Sequence, residues 1–413
     1  MSQTRISSGV TRRQFIQSGV ALAVPGSFGA LAAAGLGGFS VRSLAAEEAK
    51  TKPLPEYVNW KDAEDLIVHS ANTIETKRSA FGTSVITPAE DLYIRNNVPP
   101  PDESIVADRD AWPLDVEGVR KPRSLTVAEL KSMGLETVAM VLQCSGNGRG
   151  FFPHKPSGTQ WTVGAAGCVL WSGVPVRTVV AALGGPAQGA RFMTGTGADK
   201  PPEGVELKEA LVERSVPIKE VEQALLAWEM NGEPISLAHG GPLRLIVPGY
   251  TGVNNVKYIK RLALTPKETD AKIQETRYRM TPLGQKGNPS QPSVWAMSAK
   301  SWINHPSGEG ESIPAGLTQI HGVAFGGIHG AKRVEVSLDG GKTWKEAKFF
   351  GPDMGRYAWR QFVFPAKLQA GNHVLASRVT DSQGNVQREK RVENEPGYNN
   401  TSWRDHAVEV TVS

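Results

Sequence analysis

Cysteine is almost missing from this sequence: Cys144 and Cys168 are the only two among 413 residues, too few for a disulfide scaffold. Whether they pair with each other stays open at this level. No C-x-x-C-H string occurs, so the sequence carries no attachment site for a covalent c-type haem, and the eight histidines include no H-E-x-x-H pair of the zinc hydrolases. G-x-S-x-G is absent as well, and the GGKT run has Val336 where a phosphate-binding P-loop requires glycine. Aromatic residues make up only 7% of the chain and charged ones 21%, which excludes a polytopic membrane protein and pervasive disorder. A surplus of one charge sign is also lacking. The formal charge is +5, but the first 45 residues hold Arg5, Arg12, Arg13 and Arg42 and no acid, which leaves 42 basic against 41 acidic residues beyond them. Nucleic acid is therefore not an expected partner.

What is present begins with a leader. Thr11, Arg12, Arg13, Gln14, Phe15 and Ile16 form a twin-arginine box followed by a weakly apolar Ala/Gly stretch, and Ser43 and Ala45 supply the small residues of a cleavage site before Ala46. Residues 1–45 are read as a twin-arginine signal peptide, which places the mature protein in the bacterial periplasm without a membrane anchor. That export route carries folded proteins, often ones that have already received a cofactor.

Downstream, Leu92–Val98 reads as a strand entering a rigid triple-proline loop. Thr126 with Glu129 forms a capping box for a short helix that Gly134 closes, and the β-rich run Thr137–Leu142 then delivers Cys144 into a turn. A second short helix is expected over Pro175–Leu183, a hairpin around Asn231 and Gly232, and further strands over Leu243–Val247 and Val256–Leu264. These elements define an α+β domain over residues 46–275, followed by a linker over 276–293 within a Pro/Gly/Gln-rich stretch. From Val294 to the C-terminus the pattern is short alternating strands, as in Val334, Val336 and Leu338 before the Asp339–Gly341 turn, and it predicts an all-β Ig-like sandwich over 294–413.

The chemical centre is the string Val141 to Phe152, with Cys144 at a strand end, Gly146, Gly148 and Gly150 after it, and Arg149 beside them. Glycines let a backbone approach a large ligand, a thiolate is a soft metal donor, and an arginine supplies a cation for an oxyanion. As residues alone, the string equally admits a buried inert cysteine in an ordinary turn.

That string, the Tyr93–Pro101 loop and the VSLDGGKTW string together resemble the sulfite oxidase family of molybdenum enzymes, in the family's order and over nearly all of the chain after the leader. Within the family, the leader and the missing haem motif resemble the haem-free periplasmic sulfite dehydrogenases of the SorT type. The resemblance implies a molybdopterin-binding α+β domain followed by an Ig-like dimerisation domain, and a molybdenum–molybdopterin cofactor with no haem in this chain. It implies Cys144 as the protein ligand to molybdenum, and Arg95 and Arg149 as the arginines that bind sulfite or sulfate. Tyr278 corresponds to the active-site tyrosine, in a register that also admits Arg277 or Arg279, while Trp161 corresponds to a pocket tryptophan and Arg360 to a second-domain arginine reaching the anion. His239 and Arg244 fit an HG-x-P-x-R pattern for the pterin phosphate, Asn255, Val256 and Lys257 fit the next loop, and Asn96 and Asp199 complete the pterin pocket. Asn97 stands where the family usually has histidine, which removes a group able to gain a proton near neutral pH.

The activity so implied is oxidation of sulfite to sulfate, with electrons passed to an external c-type cytochrome by a homodimer joined through the C-terminal domain. Two other classes remain: a periplasmic molybdopterin sulfoxide reductase acting on methionine sulfoxide, and a non-catalytic Ig-like binding protein.

Overall fold

The computed structural model describes residues 52–310 and 312–413, so the twin-arginine leader and its cleavage site lie outside the described residues. Among the described residues no helix is long and apolar enough to cross a membrane. The buried run after the first capping box becomes the strand Glu136–Gln143, whose last five side chains are all buried. It pairs antiparallel with Ala166–Pro175, which pairs in turn with Leu225–Met230. Two buried strands side by side suit the near-continuous apolar composition of both segments. The helix before them is Val127–Ser132, and its capping box closes in both directions between Thr126 and Glu129.

A second five-stranded sheet runs in the order Arg123–Thr126, Pro113–Glu117, Ile259–Thr265, Phe192–Gly197, Glu213–Pro217. Its one parallel pairing joins Pro113–Glu117 to Ile259–Thr265. A small third sheet, Leu66–Ser70, Thr73–Thr76 and Ile94–Arg95, sets Arg95 opposite Thr73. The hairpin expected at Asn231 and Gly232 forms with both residues at positive φ, +55° and +85°, although its return strand is only Glu233–Pro234.

The C-terminal strands form one antiparallel path of seven: Lys300–His305, Gly316–Phe325, Arg360–Leu368, Lys345–Phe350, Ala331–Ser337, Gly371–Asp381 and Val408–Val412. The path curls over itself, so that Ser301 in its first strand bonds Ser377 in its sixth at 3.0 Å. The result is a nearly closed sandwich around Ile320, Val334, Phe362, Leu375 and Val379.

The segment expected as a linker, 276–293, is instead an ordered loop folded onto the first domain. Val294 N–H donates to Tyr278 O at 2.8 Å and Met280 N–H to Pro292 O at 2.8 Å. Tyr278 and Val294 both belong to the apolar cluster of the first domain. Polar composition and prolines suggested a free tether, but backbone pairing across the loop satisfies the groups that composition leaves open.

Candidate active site

Two cavities meet at Arg95, Asn96, Asn97, Cys144 and Tyr278. Strand ends place these groups. Arg95 closes its two-residue strand, and Cys144 follows the strand Glu136–Gln143 at a turn where its N–H donates to Ala165 O and its carbonyl accepts from Asn147 N–H. Cys144 is a free thiol and buried.

The first cavity reaches Asp199, His239, Arg244, Asn255, Val256 and Lys257. Arg244 is fixed by backbone carbonyls, donating Nε to Asn255 O at 3.1 Å and Nη1 to His239 O at 2.8 Å. Lys257 donates to Asn96 Oδ1 at 2.6 Å and to Ala238 O at 2.5 Å. Burial, then the neighbouring Arg244 cation, hold the Lys257 ammonium well below its usual range. Burial, then Lys61 and Lys257, likewise push His239 well down. Asp199 is the acid of this wall; burial raises it to about 6 against the pull of Lys257, and its Oδ2 has no hydrogen-bond partner among the described residues.

A wall of desolvated basic groups that outnumber its one carboxylate gains by the arrival of an anion, and an orphaned buried carboxylate oxygen awaits a donor. A phosphate-bearing heterocycle with ring N–H groups answers both, and the thiol at the junction is the soft donor a high-valent metal takes. The residues thus fit a molybdenum–molybdopterin group, with Arg244, Lys257 and His239 toward its phosphate, Asp199 and Asn96 toward its polar ring atoms, and Cys144 toward the metal. Asn255 contributes differently from the expectation. Its carboxamide is saturated by Val247 N–H and by the carbonyls of Tyr250 and Thr251, so its side chain shapes the loop. Val256 does the same through its carbonyl, which accepts from Leu245 N–H.

The second cavity adds Arg149, Ser157, Gly158, Thr159 and Tyr398, and among the described residues no carboxylate lines it. Arg149 donates Nε to Pro396 O at 2.9 Å and Nη1 to Thr159 O at 3.1 Å, which leaves Nη2 without a protein acceptor among the described residues. Arg95 Nη2 donates to the Tyr278 hydroxyl at 3.3 Å, and that hydroxyl donates to Asn97 Oδ1 at 3.3 Å. Burial alone would lower the Arg95 guanidinium, but the surrounding phenol and thiol groups leave it raised. Two arginines, two phenols and, among the described residues, no acid make a receptor for a small anion.

Gly146 and Gly158 make room for Arg149. A Cβ on Gly146 would lie 2.7 Å from its guanidinium carbon, and one on Gly158, at φ +97°, would lie 2.9 Å from Nη1. Gly146→Ala is therefore expected to displace Arg149 and raise the KM of the anionic substrate by about tenfold, the effect of losing one charge-assisted hydrogen bond. Steady-state kinetics check this, and an unchanged KM would show that the guanidinium has space to move.

Two expectations need correction. Arg360 does not reach the anion cavity: its strand register, opposite Ala324, turns it toward Asp353 at 2.8 Å and over the ring of Phe349. Trp161 is fully buried, edge-on to His69 and Tyr93 in the cluster that also holds Cys144, and it packs beneath the site without lining either cavity. Tyr398 was missed. It lies in Asn394–Asn400, a stretch with no hydrophobic period, and only the fold brings it to Tyr278.

Buried lysines frame the site. Lys61, bonded to the carbonyls of Ala89 and Leu92, and Lys300, in the first strand of the sandwich, are both lowered to about 7 by burial. The unfolded chain binds these protons up to about pH 10.5 and the folded one releases them near 7, so stability rises with pH between those values. The cofactor-free protein is expected to show a higher Tm at pH 9 than at pH 7. Above that, the buried Cys168 thiol, pushed up to about 12, opposes the trend. A Tm flat across the window in calorimetry would mean that both lysines keep their protons when folded.

Comparison with known proteins agrees with this geometry. Residues 99–273 match the oxidoreductase molybdopterin binding domain, and residues 291–412 match the Mo-co oxidoreductase dimerisation domain. These define a molybdopterin-dependent oxidoreductase. The chain is 30% identical over 335 residues to sulfite oxidase from Gallus gallus, covering 77% of this chain and 72% of that protein. It is also 30% identical over 376 residues to the mitochondrial sulfite oxidase of Homo sapiens, covering 85% and 68%. Among solved structures, the sulfane dehydrogenase SoxCD from Paracoccus pantotrophus superposes with a TM-score of 0.69 at 25% identity, over 84% of this chain and 89% of that one. The chain belongs to the sulfite oxidase family of molybdenum enzymes.

Proposed function

We propose that this protein is a periplasmic sulfite dehydrogenase of the haem-free SorT type, oxidising sulfite to sulfate and passing the electrons to a separate c-type cytochrome. The observation that carries the reading is the second cavity, where Arg95 and Arg149 face a space beside Cys144 that no carboxylate lines. A doubly charged oxyanion matches that charge, whereas a neutral sulfoxide would leave two desolvated cations unanswered.

When bound, the molybdenum–molybdopterin group supplies the two-electron oxidation and the oxygen atom that sulfite gains, with Cys144 as its thiolate ligand. The chain's own residues orient and exchange protons. Arg149, fixed at two carbonyls, presents Nη2 to the anion, and Arg95 holds the opposite side. The Tyr278 hydroxyl, held between Arg95 and Asn97, is placed to carry protons as water enters and sulfate leaves. The net change, sulfite plus water to sulfate, two protons and two electrons, requires an electron acceptor. The acceptor in this reading is a separate c-type cytochrome, docking through the small interface usual for electron transfer. The twin-arginine leader supports export of the folded, loaded enzyme to the periplasm, and the match to a dimerisation domain supports a homodimer.

The test is sulfite-dependent reduction of ferricyanide by protein exported through its own leader in a molybdenum-replete host. Turnover is expected with sulfite. A preparation shown to contain molybdenum yet inert toward sulfite would sink the assignment, and reduction of a sulfoxide by the dithionite-treated protein would replace it.

A further inference from the structure

The segment Pro396–Asn400 lies in the part of the chain that matches a dimerisation domain, yet it is bonded to the loop after Cys144 at three points. Pro396 O accepts from Arg149 Nε at 2.9 Å, Asn399 N–H donates to Ser145 O at 2.9 Å, and Asn400 Nδ2 donates to Gly148 O at 3.0 Å. Between these anchors sits Tyr398, 9% exposed. Its ring stacks on that of Tyr278 with centroids 5.1 Å apart and planes 7° from parallel. The Arg149 guanidinium carbon lies 5.2 Å from the centroid of Tyr398.

The column continues into the first domain. The Arg214 guanidinium carbon lies 5.7 Å from the Tyr278 ring. Arg214 is itself immobilised by Asn254 Oδ1, Ile273 O and Val294 O. Cation, ring, ring and cation thus follow one another from the core to the anion cavity. Tyr278 has a φ of +49°, a backbone state that L-residues avoid and that surrounding packing must hold in place. A guanidinium on an aromatic face loses orientational freedom, as does a ring stacked on another.

We propose that Tyr398 is a positioning residue that fixes Arg149 and Tyr278 at the substrate anion, so that the C-terminal domain completes the active site of its own chain. The proposal rests on the reading of the second cavity as the sulfite site. Tyr398 acts through its ring, which both neighbours contact, rather than through its hydroxyl.

The experiment compares molybdenum-loaded wild type with Tyr398→Leu, Tyr398→Met and Tyr398→Phe. Sulfate affinity is measured by calorimetry, sulfite KM and kcat with ferricyanide, and Tm and metal content on the same preparations. Leucine and methionine, which lack the ring, are expected to raise the sulfate Kd and the sulfite KM by about tenfold, with kcat falling less than KM rises. Phenylalanine, which keeps both ring contacts, is expected to stay within about threefold of wild type. Should leucine prevent folding, the unbranched methionine fills similar volume and decides the matter. Wild-type affinity in the leucine or methionine protein would overturn the proposal, as would a phenylalanine protein impaired as far as the leucine one. A wild type that binds sulfate, weakens on loss of the ring and yet does not oxidise sulfite would support the positioning role while removing the sulfite reaction. A wild type that binds no sulfate would overturn it.

Discussion

Cys144→Ala is expected to reduce sulfite-dependent turnover to below about a thousandth of wild type while the chain stays folded, an effect of about 4 kcal/mol on the barrier. The thiol ends a buried strand at the junction of the two cavities and is the soft donor that both share. Backbone bonds hold its place: its N–H reaches Ala165 O and its carbonyl accepts from Asn147 N–H, and neither depends on sulfur. The fold therefore survives the loss of one sulfur atom, with Tm expected to change by only a few degrees, about the shift that 1 kcal/mol produces in a domain of this size. Redox function is expected to be lost, because neither methyl nor water would replace the thiolate as a soft ligand to the metal. Kinetics, elemental analysis and calorimetry on one preparation separate these outcomes. Activity above a hundredth of wild type with molybdenum retained would remove Cys144 from the metal's coordination.

Arg149→Gln is expected to raise the sulfite KM by about a hundredfold, within the range for a lost hydrogen bond to a charged group. Because no carboxylate among the described residues lines the cavity, the charge of Arg149 has no acidic counterpart there until the anion binds. Lysine should recover only part of the loss. Its three N–H donors sit on one nitrogen, which cannot span the positions that the guanidinium fills from Nε at Pro396 O and Nη1 at Thr159 O while aiming Nη2 at the substrate. Competitive inhibition by sulfate should weaken in step with KM. A glutamine variant with KM unchanged would place the anion elsewhere, leaving Arg149 as a clamp between the two domains.

Much of this site was legible because its elements are local. A strand that ends in cysteine and glycine, a capping box, and an HG-x-P-x-R run each encode geometry within a few residues, and Cys144, Arg149, His239 and Arg244 all meet the cavities where those motifs put them. The misreadings have a shared cause in non-local contact. Arg360 was taken toward the anion from a motif, but strand register pairs its residue with Ala324 and its charge with Asp353. Trp161 sits in the layer beneath, where His69 and Tyr93 each pack edge to face with it.

Periodicity and short-range spacing in the sequence by itself determined two domains in order and a cysteine just after a buried strand, while the class and the arginines came from the resemblance of its motifs to the sulfite oxidase family. Only the tertiary structure decided that the loop 276–293 folds back on the first domain and brings Tyr278 to the site, and that Tyr398, 254 positions after Cys144, lines the same cavity. Aromatic stacking and cation–ring contact depend on where surfaces meet in space, and no pattern along the chain records that meeting.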